Sequence, residues 1–319
     1  MNSQRSPSLG KFLITVITVL SCLFFILYLH PTRLATIEDH VTIVKDSKKQ
    51  STESSSTLQR IPEKIWYKVG PKGLSSQSQE WMDDCLHKNP AHRSEIMTDD
   101  SGDLYVKNNF AHRPDIVNTF LALSVPILKA DMLRYILLFT EGGIWYDLDV
   151  SCGDLPIREW IPAELQSKTS LVVGWEFDEG WGDHIVRQFT SWTIMAAPNS
   201  PHMMMVVDDI VDAVHQKVKD LQIAVSDLTL DMVGDVVDFT GPRRLTRGIL
   251  KSLELALNDT IDKDSISHLL EPIMVNDVLI LPGYSFAASA NKYINQSGPA
   301  LVTHHYAGSW KNENGGEMP

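Results

Sequence analysis

The chain has 319 residues, 43% of them hydrophobic and 21% charged, and a formal net charge of −12. That is enough to bury a core in one large domain or two modest ones, which excludes a disordered chain. An acidic balance with no basic stripe also excludes nucleic acid as a general partner.

From the N-terminus, Phe12 to Leu29 (FLITVITVLSCLFFILYL) is an uncharged apolar run of 18 residues, near the lower limit for spanning a bilayer. A cleaved signal peptide is the competing reading. The run is long for a signal core, and Arg33 stands where a small-x-small cleavage site ending at Ala35 would need a small side chain. An uncleaved anchor over 12–29 is therefore expected, with residues 1–11 as a cytosolic tail. Charge does not fix the orientation, because Arg5 and Lys11 on one side are matched by Arg33, Lys45, Lys48 and Lys49 on the other. The sequons Asn258-Asp259-Thr260 and Asn295-Gln296-Ser297 are compatible with a lumenal C-terminal domain. Residues 30–60 are polar and rich in Ser, Thr and Lys, so they are expected to form a flexible stem. The folded domain is expected over 61–311, with 312–319 as a C-terminal tail.

Cys22 lies within the apolar run. Cys85 and Cys152 either pair in an oxidising lumen or stay as two buried thiols, and no Cys/His spacing suggests structural zinc.

The domain opens with a strand over Ile61 to Val69, then a helix from about Ser76 to Lys88 that Asn89-Pro90 ends. Glu95 to Thr98 reads as a short strand, and Thr98 or Asp99 caps a helix running to about Phe110. Pro114 begins another helix, Asp115 to Leu123. A further helix runs from about Ile127 to Thr140 and stops at Gly142-Gly143. The apolar stretch Ile144 to Val150 then reads as a strand, followed by strands at Ser170 to Glu176 and Phe189 to Ala196. A helix is expected from His202 to Val218, and another from Thr240-Gly241-Pro242 to about Leu255. Asp277 to Pro282 and Ala300 to His305 close the chain as strands. Alternating strands and helices define an α/β class with a mainly parallel central sheet, whose ligands bind beyond the carboxyl ends of the strands.

Three groups carry chemistry. Asp147 and Asp149 are two apart, so on a strand both carboxylates would project to one face. Hard divalent cations such as Mg²⁺ and Mn²⁺ take one or two carboxylates together with substrate phosphates. The same spacing recurs at Asp262-Lys263-Asp264, but among polar residues, where a solvated turn is the expectation. What separates the first copy is its frame of Ile144, Trp145, Leu148 and Val150. Asp131 and Arg134 share a helix face at i and i+3, either as a weak surface ion pair or as a buried pair in which Arg134 needs planar oxygen partners. The third group is His304-His305-Tyr306-Ala307-Gly308-Ser309-Trp310. There an imidazole can complete a metal shell, Ser309 can reach a phosphate, and Trp310 can wall a nucleotide pocket. The plainer reading of this stretch is a strand end with one core histidine and a buried Trp.

The run KADMLRYILLFTEGGIWYDLDVS resembles the sugar-binding region containing the Asp-x-Asp motif of family 32 glycosyltransferases. IPEKIW, RPDIVNTFLALSVPILKAD, LVVGWEFDEGW, RQFTSWTIMAAPNSPHM, the TGP at 240–242 and HHYAGSW extend the likeness over roughly residues 60 to 311. Together they are similar to the fungal initiation-specific α-1,6-mannosyltransferases of the Golgi, whose anchor-and-stem design the N-terminus matches. The resemblance implies a GT-A-like domain that uses GDP-mannose with Mn²⁺ (or Mg²⁺) and transfers mannose with retention to N-linked oligosaccharides. By the same carry-over, Asp147 and Asp149 hold the metal and act in catalysis, with His305 as a third ligand. Asp131 and Arg134 contact the donor sugar, and Ser309 and Trp310 close over the diphosphate.

Trp66, in Ile65-Trp66-Tyr67, departs from the family's more usual Trp-Gln-Thr at a place near the nucleotide base, which bears on donor choice. Asp227, Asp231, Asp235 and Asp238 cluster in the sequence, but nothing in it places a nucleophile. The rivals are a paralogue acting on mannan chains or inositol phosphoceramide, and a catalytically silent anchored subunit. A complex with other Golgi mannosyltransferases fits either.

Overall fold

A computed structural model describes residues 41–43, 60–182, 184–294, 298–308 and 311. The expected anchor and the C-terminal tail lie outside the described residues, as do Asn295, Ser309, Trp310 and all of the stem except residues 41–43 and 60. Among the described residues no helix is long and apolar enough to cross a membrane. A short strand, β1, covers Val41–Ile43.

Local punctuation sets the helix ends. In α1 (Ser76–Lys88) the Ser78 N–H donates to the Ser75 hydroxyl, and His87 and Lys88 sit in the last turn, where the helix dipole favours cations. Thr98 and Ser101 form a reciprocal capping box at the start of α2 (Asp99–Asn109). Both α3 (Pro114–Ala122) and α4 (Pro126–Thr140) begin on proline, whose missing N–H costs nothing in a first turn. After α4 the chain turns through Gly142 and Gly143 at φ +67 and +97. A Cβ on either would lie 2.6 Å from a backbone oxygen, that of Ala196 or of Lys64. Glycine alone therefore allows the helix to feed straight into β4 (Gly143–Tyr146), packed between its neighbours.

The remaining strands are β2 (Lys64–Lys68), β3 (Arg93–Met97), β5 (Val150–Cys152), β6 (Leu171–Glu176), β7 (Gln188–Phe189), β8 (Thr193–Ala196), β9 (Ile273–Val275), β10 (Val278–Leu281) and β11 (Val302–His304). In the central sheet they lie in the order β9-β10-β6-β8-β4-β2-β3. Strands β3, β2, β4, β6 and β10 point one way, while β8 and β9 run opposite. The sheet is thus mainly parallel in direction, as expected, with an antiparallel strand set into its middle. Strands β4, β6, β8 and β10 are buried along their whole length, as strands covered on both faces must be.

On one face Ile65, Tyr67, Ile144, Tyr146, Val172, Met195 and Leu279 join a core with Met82, Trp160 and Phe286. On the other, α4 packs on the sheet and against α5 (Pro201–Leu221), which in turn packs on α8 (Pro242–Leu257). Cys85 of α1 and Cys152 of β5 form a disulfide with Cα atoms 5.1 Å apart, which resolves the choice between pair and free thiols. Of the two sequons, Asn258 is exposed and left-handed just after α8.

Two expectations need correcting. The Asp-x-Asp is not on a strand: β4 ends at Tyr146, and the Val150 N–H donates to the Asp147 carbonyl at 3.2 Å to close a turn before β5. And Phe189 to Ala196 is two strands, because the chain breaks at Thr190-Ser191-Trp192 to leave β7 and enter β8. The short helices α6 (Leu230–Val233), α7 (Val236–Phe239) and α9 (Gly283–Ala287) fall below the length at which periodicity shows.

Candidate active site

The parallel strands converge at one end on a cavity of about 540 Å³. Lys68 at the end of β2, Asp147 just past β4 and Glu176 at the end of β6 all line it. This is where an α/β sheet of this kind holds its ligand.

The Asp147 carboxylate is held from two sides. Its Oδ1 accepts from Trp145 Nε1 at 2.7 Å and from Arg134 Nη2 at 3.0 Å. Oδ2 makes no hydrogen bond among the described residues. Two residues on, Asp149 Oδ2 accepts from the Ala307 N–H at 2.8 Å, and Oδ1 lies 3.3 Å from His304 Nε2. Burial would raise the Asp149 carboxyl, but the His304 and Ala307 contacts hold it below its ordinary range. The turn therefore presents both carboxylates to the cavity although it is not a strand.

The small sheet of β5 and β11 sets the third member. Its register pairs His304 with Val150, immediately after the acidic turn. Trp192 stacks on the His304 ring at 4.1 Å and Tyr306 packs on it at 4.1 Å, which fixes its orientation. Asp147, Asp149 and His304 can each offer one ligand atom, all within 4.8 Å of one another. Two carboxylate oxygens and an imidazole nitrogen are a donor set that fits a divalent cation, and the nitrogen suits Mn²⁺ better than Mg²⁺.

The expected ligand His305 is not in this group. Its ring stacks on Trp81 at 4.0 Å, Nε2 bonds the Ser151 hydroxyl at 2.9 Å, and its backbone N–H donates to the Asp149 carbonyl. His305 falls just past the end of β11, and of the two histidines only His304 lines the cavity.

Asp131 and Arg134 are both buried, which decides against a surface pair. Arg134 Nη1 donates to Asp131 Oδ1 at 2.8 Å, and the other Asp131 oxygen accepts from the Thr240 hydroxyl at 2.7 Å. Arg134 thus bridges Asp131 and Asp147, and these are the planar oxygen partners a buried guanidinium needs. Burial pulls the Arg134 guanidinium down, yet the Asp147 and Asp131 carboxylates keep it above its usual value. Burial pushes the Asp131 carboxyl up, against the pull of Arg134. Arg134 Nε is buried with no partner among the described residues.

Trp66 lies away from the cavity. It is 0% exposed, its Nε1 donates to the Gly142 carbonyl at 2.8 Å, and Lys64 Nζ sits 3.4 Å over its ring. The side chain supports the Gly-Gly turn and cannot touch a nucleotide base. Nor does any of Asp227, Asp231, Asp235 or Asp238 line the cavity: Asp235 pairs with Arg243 and Asp238 with Arg247.

The sequence reading missed Glu176 and Gln188. Glu176 is 3% exposed, accepts from Gln188 Nε2 at 2.7 Å, and is raised to about 7 by burial. Its signal was present: like Asp147, it is an acid at the end of an apolar strand.

Residues 75–166 match the model of the glycosyltransferase sugar-binding region containing a DXD motif. The protein is a glycosyltransferase, and the chain belongs to that family, family 32. It is 30% identical over 318 residues to the initiation-specific α-1,6-mannosyltransferase of Candida albicans, covering 85% of this chain and 81% of that one. To the enzyme of the same name from Schizosaccharomyces pombe it is 31% identical over 240 residues, covering 70% of this chain and 57% of that one. A shorter likeness, 30% identity over 102 residues, links it to a mannosyl phosphorylinositol ceramide synthase of Saccharomyces cerevisiae, covering 32% of this chain and 26% of that one.

Proposed function

We propose that this chain is a GT-A-like, GDP-mannose-dependent α-1,6-mannosyltransferase that acts on N-linked oligosaccharides. We further propose that it sits in the Golgi membrane through a single N-terminal anchor, with its catalytic domain in the lumen. The observation that carries the catalytic reading is the single cavity wall in which the Asp147, Asp149 and His304 group meets the Arg134–Asp131 pair. Likeness over 85% of the chain to the Candida albicans α-1,6-mannosyltransferase supports mannose as the transferred sugar and the α-1,6 linkage.

Asp147, Asp149 and His304 would hold a divalent ion such as Mn²⁺, which when bound would supply Lewis-acid relief of the charge on a departing diphosphate. Arg134, fixed between two carboxylates, presents a preorganised cation beside the sugar and needs no rearrangement as the bond breaks. Asp131 holds Arg134 in place and is itself held by Thr240. In the front-face course that the family resemblance implies, without a covalent intermediate, the acceptor hydroxyl attacks the anomeric carbon from the face that GDP leaves. The anomeric C–O bond to phosphate breaks, the new glycosidic C–O bond forms, and the hydroxyl proton passes to the departing phosphate oxygen. Configuration is retained.

The test is turnover by the full-length chain over a panel of sugar nucleotides, with Mn²⁺ or with EDTA. Transfer from GDP-mannose alone, lost in EDTA, supports the reading. An N-linked oligosaccharide that accepts no mannose while inositol phosphoceramide does would move the acceptor to the class named for the Saccharomyces cerevisiae relative. A folded chain that turns over no donor would point to a silent subunit.

A further inference from the structure

Glu176 and Gln188 line the same cavity, yet the reading above leaves them without a task. They face each other across the antiparallel β6–β7 pair, whose register places Glu176 opposite Gln188. The backbone therefore holds the two side chains together, with Gln188 Nε2 donating to Glu176 Oε2 at 2.7 Å. Glu176 is 3% exposed and Gln188 5%. Gln188 Oε1 is buried and has no partner among the described residues, and no cation forms an ion pair with Glu176 there.

Asp178, two residues further on, is the internal control. It is equally buried, but its oxygens accept from the His268 and Leu269 N–H groups and from the Tyr293 hydroxyl. That carboxyl is satisfied by the fold. The Glu176–Gln188 pair is not, and an unsatisfied buried acceptor is unfavourable unless something else completes it.

The missing partner must supply O–H or N–H donors in a half-apolar pocket, since Phe177 and Trp192 also line the cavity. Phosphate offers only acceptors and is repelled by two oxygens. Adjacent hydroxyls of a sugar ring fit, because each donates to one oxygen while the ring lies along the aromatic surface.

We propose that Glu176 and Gln188 form a hydroxyl-binding pair for a hexose ring in this cavity. The inference rests on the glycosyltransferase reading of the site. The ring is either the sugar being transferred or the sugar that receives it, and the two sources separate in the assay.

The experiment compares the full-length wild type with Glu176→Leu, Gln188→Leu and the conservative Glu176→Gln, all in Mn²⁺. Leucine keeps the volume and removes the oxygens. Calorimetry gives the Kd of GDP and of GDP-mannose, and initial rates give the KM of the oligosaccharide acceptor. The expected result is an unchanged Kd for GDP, within about twofold, and a loss of at least about tenfold in one sugar-dependent quantity, equivalent to about 1.4 kcal/mol. A loss in GDP-mannose affinity assigns the donor sugar, and a rise in acceptor KM assigns the receiving one. Glu176→Gln should keep more of the affinity than Glu176→Leu, and Glu176→Leu should melt no lower than wild type, because a buried carboxyl has been removed. Unchanged sugar affinities, equal weakening of GDP and GDP-mannose, or Glu176→Leu melting well below wild type would each overturn the pair. Wild type that binds no sugar nucleotide would overturn the function reading first, a result distinct from variants that match an active wild type.

Discussion

Asp147-Leu148-Asp149 and Asp262-Lys263-Asp264 share one spacing and differ in everything around it. In the first, Arg134 and Trp145 fix one carboxylate, while His304 and the Ala307 N–H fix the other. In the second, Asp262 caps a single turn through the Asp264 N–H, and Asp264 pairs with Arg187 at 3.2 Å, its own side chain 78% exposed. The first pair is shaped by partners from distant parts of the chain, the second by its own turn and one surface arginine. Spacing alone therefore carries no chemistry, and the surroundings decide whether two aspartates become a ligand set or a solvated turn.

The sharpest way to break this contrast is to substitute both. Asp149→Asn should lower transfer by about 10³-fold, the equivalent of about 4 kcal/mol of lost stabilisation of the leaving group. Asp264→Asn should leave initial rates within about twofold. Equal losses at the two sites would erase the distinction.

The ion pairs make the second comparison. Removing Arg134 strands buried Asp131 without its cation, so Arg134→Ala should cost about 3–5 kcal/mol of unfolding free energy in a denaturant titration. Arg187→Ala, which breaks the surface pair with Asp264, should cost no more than about 1 kcal/mol.

Glu176 supplies a pH test. Its carboxyl sits at about 7 in the folded chain against an ordinary 4.5, so between those values the native state binds more protons than the unfolded state. The stability contributed by neutral Glu176 is complete below about pH 4.5 and lost as pH rises to about 7, a change on the order of 3 kcal/mol. Melting curves across that range should flatten in Glu176→Leu. An unchanged slope would place the charge balance elsewhere.

The two histidines make the last comparison. His304→Ala should raise the Mn²⁺ concentration for half-maximal activity at least about 10-fold. His305→Ala should leave that concentration unchanged and lower stability by about 1 kcal/mol, through lost stacking on Trp81.

Where sequence reading succeeded, a local cause was visible. Pro126 and the Gly142-Gly143 pair bracket α4, the Thr98 cap opens α2, and apolar runs mark β4, β6 and β10. The pairing of Asp131 with Arg134 was readable from helical spacing, which left open whether the pair is at the surface or buried. Long-range register was not readable. Nothing in His304-His305 says which ring faces Asp149 until β11 pairs with β5, and the family resemblance put Trp66 near the nucleotide whereas its indole points at Gly142. The strand reading of Asp147 and Asp149 failed because one backbone hydrogen bond, from Val150 back to Asp147, converts a continued strand into a turn. Gln188 was hidden because its importance comes only from Glu176, its partner across β7.

The central claim is that Asp147, Asp149 and His304 bind a metal–diphosphate complex. Calorimetric titration of GDP into the full-length chain, with Mn²⁺ and with EDTA, tests it most directly in wild type, Asp149→Asn and Asp264→Asn. Binding should require Mn²⁺, disappear in Asp149→Asn and persist in Asp264→Asn. GDP that binds as tightly in EDTA, or as tightly to Asp149→Asn as to wild type, would contradict it.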